Sequence, residues 1–331
     1  MVKTLIRIGI NTAIGGVLIY FWFRLVDVEE IIHALESFNP WVLIPAFVLM
    51  AVSSICRALR FKVLLSEVIK IPATKIINLT FLSQLLSFTI PIRLGEVSKG
   101  VYLSSEYGLH FGKAVVWVFL DRFLDFWTVL GLSLLFLMIV PTNLPSGVTT
   151  SLFGVVLISS VLLVAAVLKP ELFKSLARIF SHLLVIKVLK QKFLSLSYFM
   201  IDCFRLLKAE GGGRNFLIAG LTVLGIFLEG ASWFVILRQF IPGLDFLKVW
   251  LGSMLNSLTF IIPAAPGYVG SAEAAGLAVF SFGLGFNETF VSASTIIIHA
   301  LSLVFILSSG ILGLYLLKFN LGLVWKKVLR K

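Results

Sequence analysis

The chain of 331 residues lacks the motifs of the common soluble enzyme classes. It has two cysteines, Cys56 and Cys203, whose spacing suits neither metal binding nor redox chemistry, so both are expected to stay reduced. It contains no Gly-x-x-x-x-Gly-Lys-Ser/Thr loop, no His-Glu-x-x-His and no nucleophile elbow. These absences exclude the familiar sites for nucleotides, zinc and acyl-transfer chemistry. We therefore predict no catalytic residue, no metal and no cofactor.

Charge is also scarce, and hydrophobicity is correspondingly high. Charged residues make up 13% of the chain and hydrophobic residues 59%, with a mean hydropathy of +1.05. No water-soluble domain needs so much apolar surface, which predicts an all-α polytopic membrane protein. The net charge of +12 could indicate nucleic acid. Basic cytoplasmic loops and attraction to anionic lipid explain it better, so no nucleic-acid partner is expected.

Hydrophobic runs predict the membrane topology. Six segments are long enough to cross about 30 Å of hydrocarbon. They cover about 4–24, 41–61, 114–140, 151–168, 216–237 and 289–317. Two more segments, 76–107 and 247–285, are interrupted by Pro and Gly. We interpret them as re-entrant or broken hairpins, each made of two half-helices.

The loop charges predict the orientation. Basic residues concentrate in 57–75, 169–214 and 318–331, whereas 25–40 contains acidic residues and no Lys or Arg. The positive-inside rule then places both termini and all three basic regions in the cytoplasm, in a multi-pass protein of the cell membrane. The segment 169–214 alternates apolar and basic residues at helical spacing, which predicts an amphipathic segment on the inner leaflet.

The two interruptions resemble each other. Segment 87–95 aligns without gaps to 259–267 at an offset of 172 residues, and each is followed by a carboxylate. The breaks are formed by prolines and glycines: Pro91, Gly95, Pro263, Pro266, Gly267 and Gly270. Irregular backbone at membrane depth is tolerated where it lines a cavity, and matching breaks in two halves indicate a transporter's binding site.

The same alignment predicts an internal repeat within a single domain, 1–331. Repeat 1 would cover about 41–140 and repeat 2 about 213–317. With six full crossings, the two hairpins enter from opposite faces, so the repeat is predicted to be inverted. Chance similarity between apolar helices is the alternative.

Ionisable side chains at membrane depth cost about 2.5–3.5 kcal/mol each, which makes them candidate site residues. The candidates for substrate binding are Arg93, Glu96, Asp121, Arg122, Asp125, Glu229 and Glu273. Two arginines against five carboxylates cannot pair completely, so a bound cation, protons or a cationic substrate group should compensate. The alternative for Asp121, Arg122 and Asp125 is that they pair and lock the bundle. His299 alone is more typical of a packing histidine.

The breaks offer a complementary anion site. A half-helix should begin after Pro91, with its free N–H groups facing the cavity, and Arg93 could hold a phosphate there. The second half-helix should be capped by Ser271. An anion site beside excess carboxylate suits a zwitterionic or aminoacylated phospholipid headgroup. The alternative is that Arg93 merely pairs with Glu96.

Three motifs carry a resemblance to a known family. They are Arg93-Leu-Gly-Glu96 followed by Lys99, Asp121-Arg122-x-x-Asp125, and Pro266-Gly-Tyr-Val-Gly270-x-x-Glu273. In this order and spacing they resemble the signatures of the lysylphosphatidylglycerol synthase transmembrane-region family, which is also described as flippase-like. The resemblance covers essentially the whole chain. Two positions differ from the usual pattern: Asp121 stands where glutamate is usual, and Tyr268 where a second glycine is usual.

The resemblance implies a lipid translocase that moves aminoacylated phosphatidylglycerol, or a similar lipid-linked headgroup, between leaflets. In that family a separate cytosolic domain makes the lipid, and here the chain ends at Lys331 without one. A phosphatidylglycerol lysyltransferase label is possible by family, but we expect a lipid translocase and not an enzyme. The expected partner is a membrane phospholipid, anionic or aminoacylated. The alternative is a membrane subunit or scaffold for a separate synthase that modifies lipids by aminoacyl or glycosyl transfer.

Overall fold

The computed structural model describes residues 13, 16–89, 94–182, 190, 191, 193–195, 197–199, 201, 212–259, 265–320 and 322. These residues form helices and the connections between them, and no strand occurs among them. The helices are α1 (Gly16–Leu25), α2 (Val28–Glu36), α3 (Leu43–Leu65), α4 (Ala73–Thr89), α5 (Leu94–Glu106), α6 (Phe111–Leu137), α7 (Ser146–Leu168), α8 (Pro170–Ser181), α9 (Gly212–Leu237), α10 (Phe246–Thr259), α11 (Ser271–Gly276) and α12 (Glu288–Leu317). The all-α prediction is confirmed.

Several helices are suited to a bilayer. By length and composition, Pro40–Leu65, Gly212–Leu237 and Glu288–Leu317 can each cross a membrane. Helix α6 has 27 residues, or about 40 Å at 1.5 Å per residue, although it carries several charges. Large apolar side chains such as Trp41 and Phe216 are exposed on the outside, as lipid-facing residues would be. The polytopic membrane fold is therefore confirmed.

Local sequence explains where several helices begin. Asp27 caps α2, since its carboxylate accepts the backbone N–H groups of Glu29 and Glu30 at 2.9 and 3.3 Å. Asn287 caps α12 in the same way through Phe290 N–H at 3.1 Å. Helix α8 starts at a proline, whose missing N–H costs nothing in a first turn.

Each predicted hairpin contains two described helices, and part of the stretch between them lies outside the described residues. The first consists of α4, which ends at Thr89, and α5, which begins at Leu94. The second is α10 followed, after a short turn at Pro266–Tyr268, by α11 and a π-helical turn, Leu277–Gly283. The first hairpin closes tightly at Gly95, where a Cβ would overlap the backbone carbonyl of Ser83 and the hydroxyl of Ser87.

The helices α3 and α9 occupy matching positions in the two predicted repeats, and they pack against each other in opposite directions. Near the end of α3, Glu67 lies 3.4 Å from Arg214 at the start of α9. Further back along α3, the Ser53 hydroxyl donates to the Gly225 carbonyl at 2.8 Å. Residues with lower numbers in α3 therefore contact residues with higher numbers in α9, so the two helices run antiparallel. This antiparallel pairing of matching spans is what an inverted repeat requires, and the repeat bounds themselves stay a prediction.

Each hairpin packs on the last long helix of the other half. Helix α4 lies against α12, where Gly310 gives Leu85 the space that a Cβ would fill. Helix α10 lies against α6, with the rings of Trp250 and Phe136 4.9 Å apart. The exchange brings both hairpins to the boundary between the halves.

Two apolar clusters flank that boundary. One comes mainly from the first half and includes Phe61 and Trp117, and the other comes mainly from the second half and includes Trp233 stacked on Phe280. Polar and charged groups lie between them. Helix α8 falls in the segment predicted to be amphipathic, and its placement on a leaflet stays a prediction.

Candidate functional site

A cavity of about 340 Å³ lies where the two hairpins meet. Phe88 from the end of α4 approaches Tyr268 of the second break, with ring centroids 6.0 Å apart. The wall also receives side chains from α3, α5, α6, α9, α10 and α12. Five ionisable residues are among those that line it: Arg57, Glu96, Arg122, Glu229 and His299. A polar cavity enclosed by apolar helices is the expected form of a site for a hydrophilic ligand in a membrane.

Behind the cavity wall, Arg60 joins the two aspartates of α6. Its side chain is fully buried. Its Nε donates to Asp121 Oδ1 at 2.9 Å, and its Nη1 donates to Asp125 Oδ1 at 2.7 Å. Asp121 and Asp125 are themselves 2% and 8% exposed, and neither lies among the residues that line the cavity. The structure thus places both in a network that links α3 to α6, the locking arrangement considered as the alternative.

Two further arginines reach the cavity itself. Arg57 binds Glu229 of α9, and its Nη1 lies 3.5 Å from Asp125 Oδ2. Arg122 binds Glu96 of α5, and its Nη1 lies 3.7 Å from that same oxygen of Asp125. The Nε atoms of both arginines are buried and donate to no protein group in the part of the chain that the structure describes. Each arginine therefore combines a carboxylate partner with a spare N–H donor.

Lys99 completes the cluster. Its ammonium lies 3.2 Å from Glu96 Oε2 and 5.1 Å from the centre of the Phe61 ring. The residue is 1% exposed. Its position three residues after Glu96 places both side chains on one face of α5.

These contacts correct the expected excess of negative charge. Arg57 and Arg60 were counted among the cytoplasmic charges of 57–75, although the predicted span 41–61 also includes them; in the structure α3 continues to Leu65 and both side chains point inward. Within the described ranges, four cations meet four carboxylates in one connected network. Its members are Arg57, Arg60, Lys99, Arg122, Glu96, Asp121, Asp125 and Glu229. No cationic ligand is needed to balance it.

Glu273 and His299 hold the second break. His299 Nδ1 lies 2.6 Å from Glu273 Oε1, and His299 Nε2 lies 2.7 Å from the Gly267 carbonyl oxygen. The other Glu273 oxygen accepts the Gly270 N–H at 2.8 Å and so caps α11. The cap predicted at Ser271 was wrong, since that hydroxyl donates to the Tyr268 carbonyl instead. His299 thus ties α12 to the turn rather than only filling space.

Backbone geometry explains the glycines of this break. Gly267 and Gly270 adopt φ values of 73° and 80°, which only glycine takes without cost. Tyr268 adopts φ 58°, a conformation that costs a non-glycine residue about 1–2 kcal/mol. Three predicted residues, Pro91, Arg93 and Pro263, lie outside the described residues, so their roles stay predictions.

The uncharged polar groups of the cavity wall were not predicted from the sequence. Gln84 on α4 and Asn256 on α10 both line the cavity. They are separated by 172 residues, the offset of the two breaks, so the alignment that found the breaks could have found this pair. Among the described residues, no three His, Cys, Asp or Glu side chains gather as a metal site would require.

Comparison with known proteins agrees with this architecture. The sequence model of the family described as lysylphosphatidylglycerol synthase TM region matches residues 8–310. The chain belongs to this family. No curated protein sequence matches it. The match spans both hairpins and the charged network, and membership in the lysylphosphatidylglycerol synthase TM region family implies a function related to membrane lipid. The resemblance noted from the three motifs is confirmed.

Proposed function

We propose that this protein moves the polar headgroup of a phospholipid, or of a similar lipid-linked compound such as an aminoacylated phosphatidylglycerol, from one leaflet to the other. The observation that carries the proposal is the pair Arg57 and Arg122, two guanidinium groups that line the cavity and whose buried Nε–H groups have no acceptor among the described residues. Guanidinium groups bind phosphate through such donors. The acyl chains would stay in the bilayer while the headgroup crosses the cavity.

The contacts of Arg57 suggest how binding is coupled to movement. Its bond to Glu229 joins α3 to α9, which are the matching helices of the two halves. A lipid phosphate at Arg57 would compete with the Glu229 carboxylate for the same guanidinium. Glu229 is 34% exposed, so water can stabilise it when it is released. Phosphate binding would thereby weaken one link between the halves and permit them to rock.

We assign the translocation step, not lipid synthesis, to these helices. We also propose the cell membrane as its location, with both termini in the cytoplasm. Although Arg57 and Arg60 belong to the buried network, Lys62, Lys70 and Lys75 still outnumber Glu67 in and beside the α3–α4 connection and leave this region positively charged. Labelling of single cysteines placed at Glu67 and Asn143 tests this orientation, because the first should react from the inside and the second from the outside.

The test of function uses purified protein in liposomes with headgroup-labelled lysyl-phosphatidylglycerol, phosphatidylglycerol or a polyprenyl-phosphate sugar. Leaflet exchange of at least one lipid is expected. Arg57→Gln should lower its rate by about tenfold or more, given that a hydrogen bond to a charged group contributes about 1.5–3 kcal/mol. Arg24→Gln, at an exposed arginine of α1, is the matched control and should retain the rate. Equal exchange by folded Arg57→Gln and by the unaltered chain would contradict the proposal.

A further inference from the structure

The cavity contains uncharged polar groups that the proposed phosphate site does not use. Asn256 is 4% exposed, and its side-chain oxygen accepts no hydrogen bond from the described residues. The same holds for the side-chain oxygen of Gln84, whose Nε2 donates to Ser54 Oγ at 3.2 Å. The hydroxyl of Ser87, one turn from Gln84, also has no partner there. Buried polar groups are normally satisfied, so these three side chains indicate what the ligand must supply.

The two carboxamides occupy matching places. Because Gln84 and Asn256 differ by the repeat offset, they occupy matching positions on α4 and α10, and both line the cavity. In either orientation of the Gln84 and Asn256 amides, a side-chain oxygen or nitrogen stays free to form a hydrogen bond. A headgroup crossing the boundary would meet an amide from each half.

The charges of the wall decide which partner suits these amides. An ammonium group could donate to them, but a buried cation also requires an uncommitted carboxylate. Glu96 and Glu229 are each paired with an arginine, and Glu273 is bonded to His299. A hydroxyl group, in contrast, donates one hydrogen bond and accepts others without adding charge. It therefore matches a carboxamide at both atoms.

We propose that the cavity selects a lipid headgroup bearing hydroxyl groups beyond the phosphate, such as glycerol or a sugar, over a headgroup with an ammonium group, and that Gln84 and Asn256 determine this preference. This inference rests on the proposed function, since it concerns the same cavity, and it narrows that function: among the lipids named there, hydroxylated headgroups are preferred and aminoacylated phosphatidylglycerol is disfavoured. The phosphate would lie toward Arg57 and Arg122, where the wall is more exposed, and the hydroxyl groups would lie against the buried amides.

Binding can be measured separately from movement. The purified protein is titrated in detergent, by native mass spectrometry, with four lipids of identical acyl chains: phosphatidylglycerol, phosphatidylinositol, phosphatidylpropanol and lysyl-phosphatidylglycerol. Phosphatidylpropanol has the charge and length of phosphatidylglycerol but no headgroup hydroxyl. The hydroxylated lipids should bind about threefold to tenfold more tightly than phosphatidylpropanol, the ratio expected for one or two neutral hydrogen bonds. Lysyl-phosphatidylglycerol should not bind more tightly than phosphatidylglycerol.

Variants assign the preference to the amides. Asn256→Leu and Gln84→Leu should each bring the affinity ratio of phosphatidylglycerol to phosphatidylpropanol toward one, with little change for phosphatidylpropanol itself. Gln239→Leu, at an exposed glutamine that follows α9, should keep the ratio. The more exposed Gln84 variant provides the test if the Asn256 variant does not fold. A preference for inositol over glycerol, or the reverse, would identify the source of the hydroxyl groups and support the inference either way.

Two outcomes overturn the inference: equal affinity for phosphatidylpropanol and phosphatidylglycerol, or tighter binding of lysyl-phosphatidylglycerol. A ratio that survives in both folded leucine variants would likewise refute the role of the amides. Leaflet exchange measured with the same lipids reports on the proposed function separately. Hydroxyl-selective binding without any exchange would reject translocation and retain the headgroup preference.

Discussion

Replacing Arg60 with methionine should destabilise the fold by about 3–5 kcal/mol, because it removes one partner from a buried ionic network. Arg60 is fully buried and makes four polar contacts, two of them with Asp121 and one each with Asp125 and Thr222. Asp125 keeps Arg57 and Arg122 nearby after the change. The cost should therefore fall mainly on Asp121, whose carboxylate meets no other cation at ion-pair distance among the described residues.

A double-mutant cycle tests this reasoning. Asp121→Leu alone should cost a similar free energy of unfolding, since it leaves the buried Arg60 with only one carboxylate partner, Asp125. The double variant, Arg60→Met with Asp121→Leu, removes both members of the pair. Its unfolding free energy should be at least about that of the more stable single variant, so that the two losses do not add. Equilibrium unfolding in mixed micelles of dodecyl maltoside and SDS, followed by tryptophan fluorescence, gives the free energies.

The control uses an exposed ion pair. Lys174 Nζ lies 2.6 Å from Glu171 Oε1 on α8, and the side chain of Glu171 is 75% exposed. Lys174→Met should change the free energy of unfolding by less than about 1 kcal/mol, since surface pairs contribute little. If Arg60→Met has no larger effect than this control, or if the two single effects simply add, the network is not coupled as the contacts indicate.

Two further substitutions probe the breaks by the same unfolding assay. Gly95→Ala should prevent the first hairpin from closing, so that the protein does not fold or loses more than about 2 kcal/mol of unfolding free energy. Gly131→Ala is the control and should be neutral or stabilising, because a Cβ there meets nothing within 4 Å. A folded and equally stable Gly95→Ala protein would refute the close packing. His299→Gln should cost about 1 kcal/mol of unfolding free energy, because the amide can replace one of the two bonds, to Glu273 or to the Gly267 carbonyl. His299→Leu should cost about 3 kcal/mol, because it removes both bonds and leaves the Glu273 carboxylate without this partner. Equal costs would show that the bonds contribute little.

The sequence was sufficient to locate the breaks because their signal is local. Proline and glycine interrupt a helix by their own geometry, and the two interruptions fall at one offset. The same offset relates Ser53 to Gly225, which are in contact across the two halves. It also relates Gln84 to Asn256. Applied to polar residues as well as to the breaks, the alignment would have found the amides.

The buried arginines could not be found by the same reasoning. Each charge in an apolar run adds an insertion cost, so a count of Lys and Arg along the chain places Arg57 and Arg60 with the cytoplasmic charges of 57–75, even though the predicted span 41–61 includes both residues. The compensating partners are on α6 and α9, and spacing along α3 does not reveal them. One signal was present in the sequence. Arg57 and Arg60, three residues apart, share one face of an apolar helix, and Asp121 and Asp125, four residues apart, share one face of another, so the two pairs can meet across a helix interface.

The exposure of the network separates a fixed part from an exchangeable part. At Arg60 and Asp121 the side chains are 0% and 3% exposed, so breaking their bond would leave charges without water. At Arg57 and Glu229 the corresponding values are 23% and 34%, and water can replace either partner. Arg57 and Glu229 also occupy the same position in two antiparallel helices. Two arginines or two glutamates there would repel, whereas this pair attracts and can still be opened, as a link between moving halves must be.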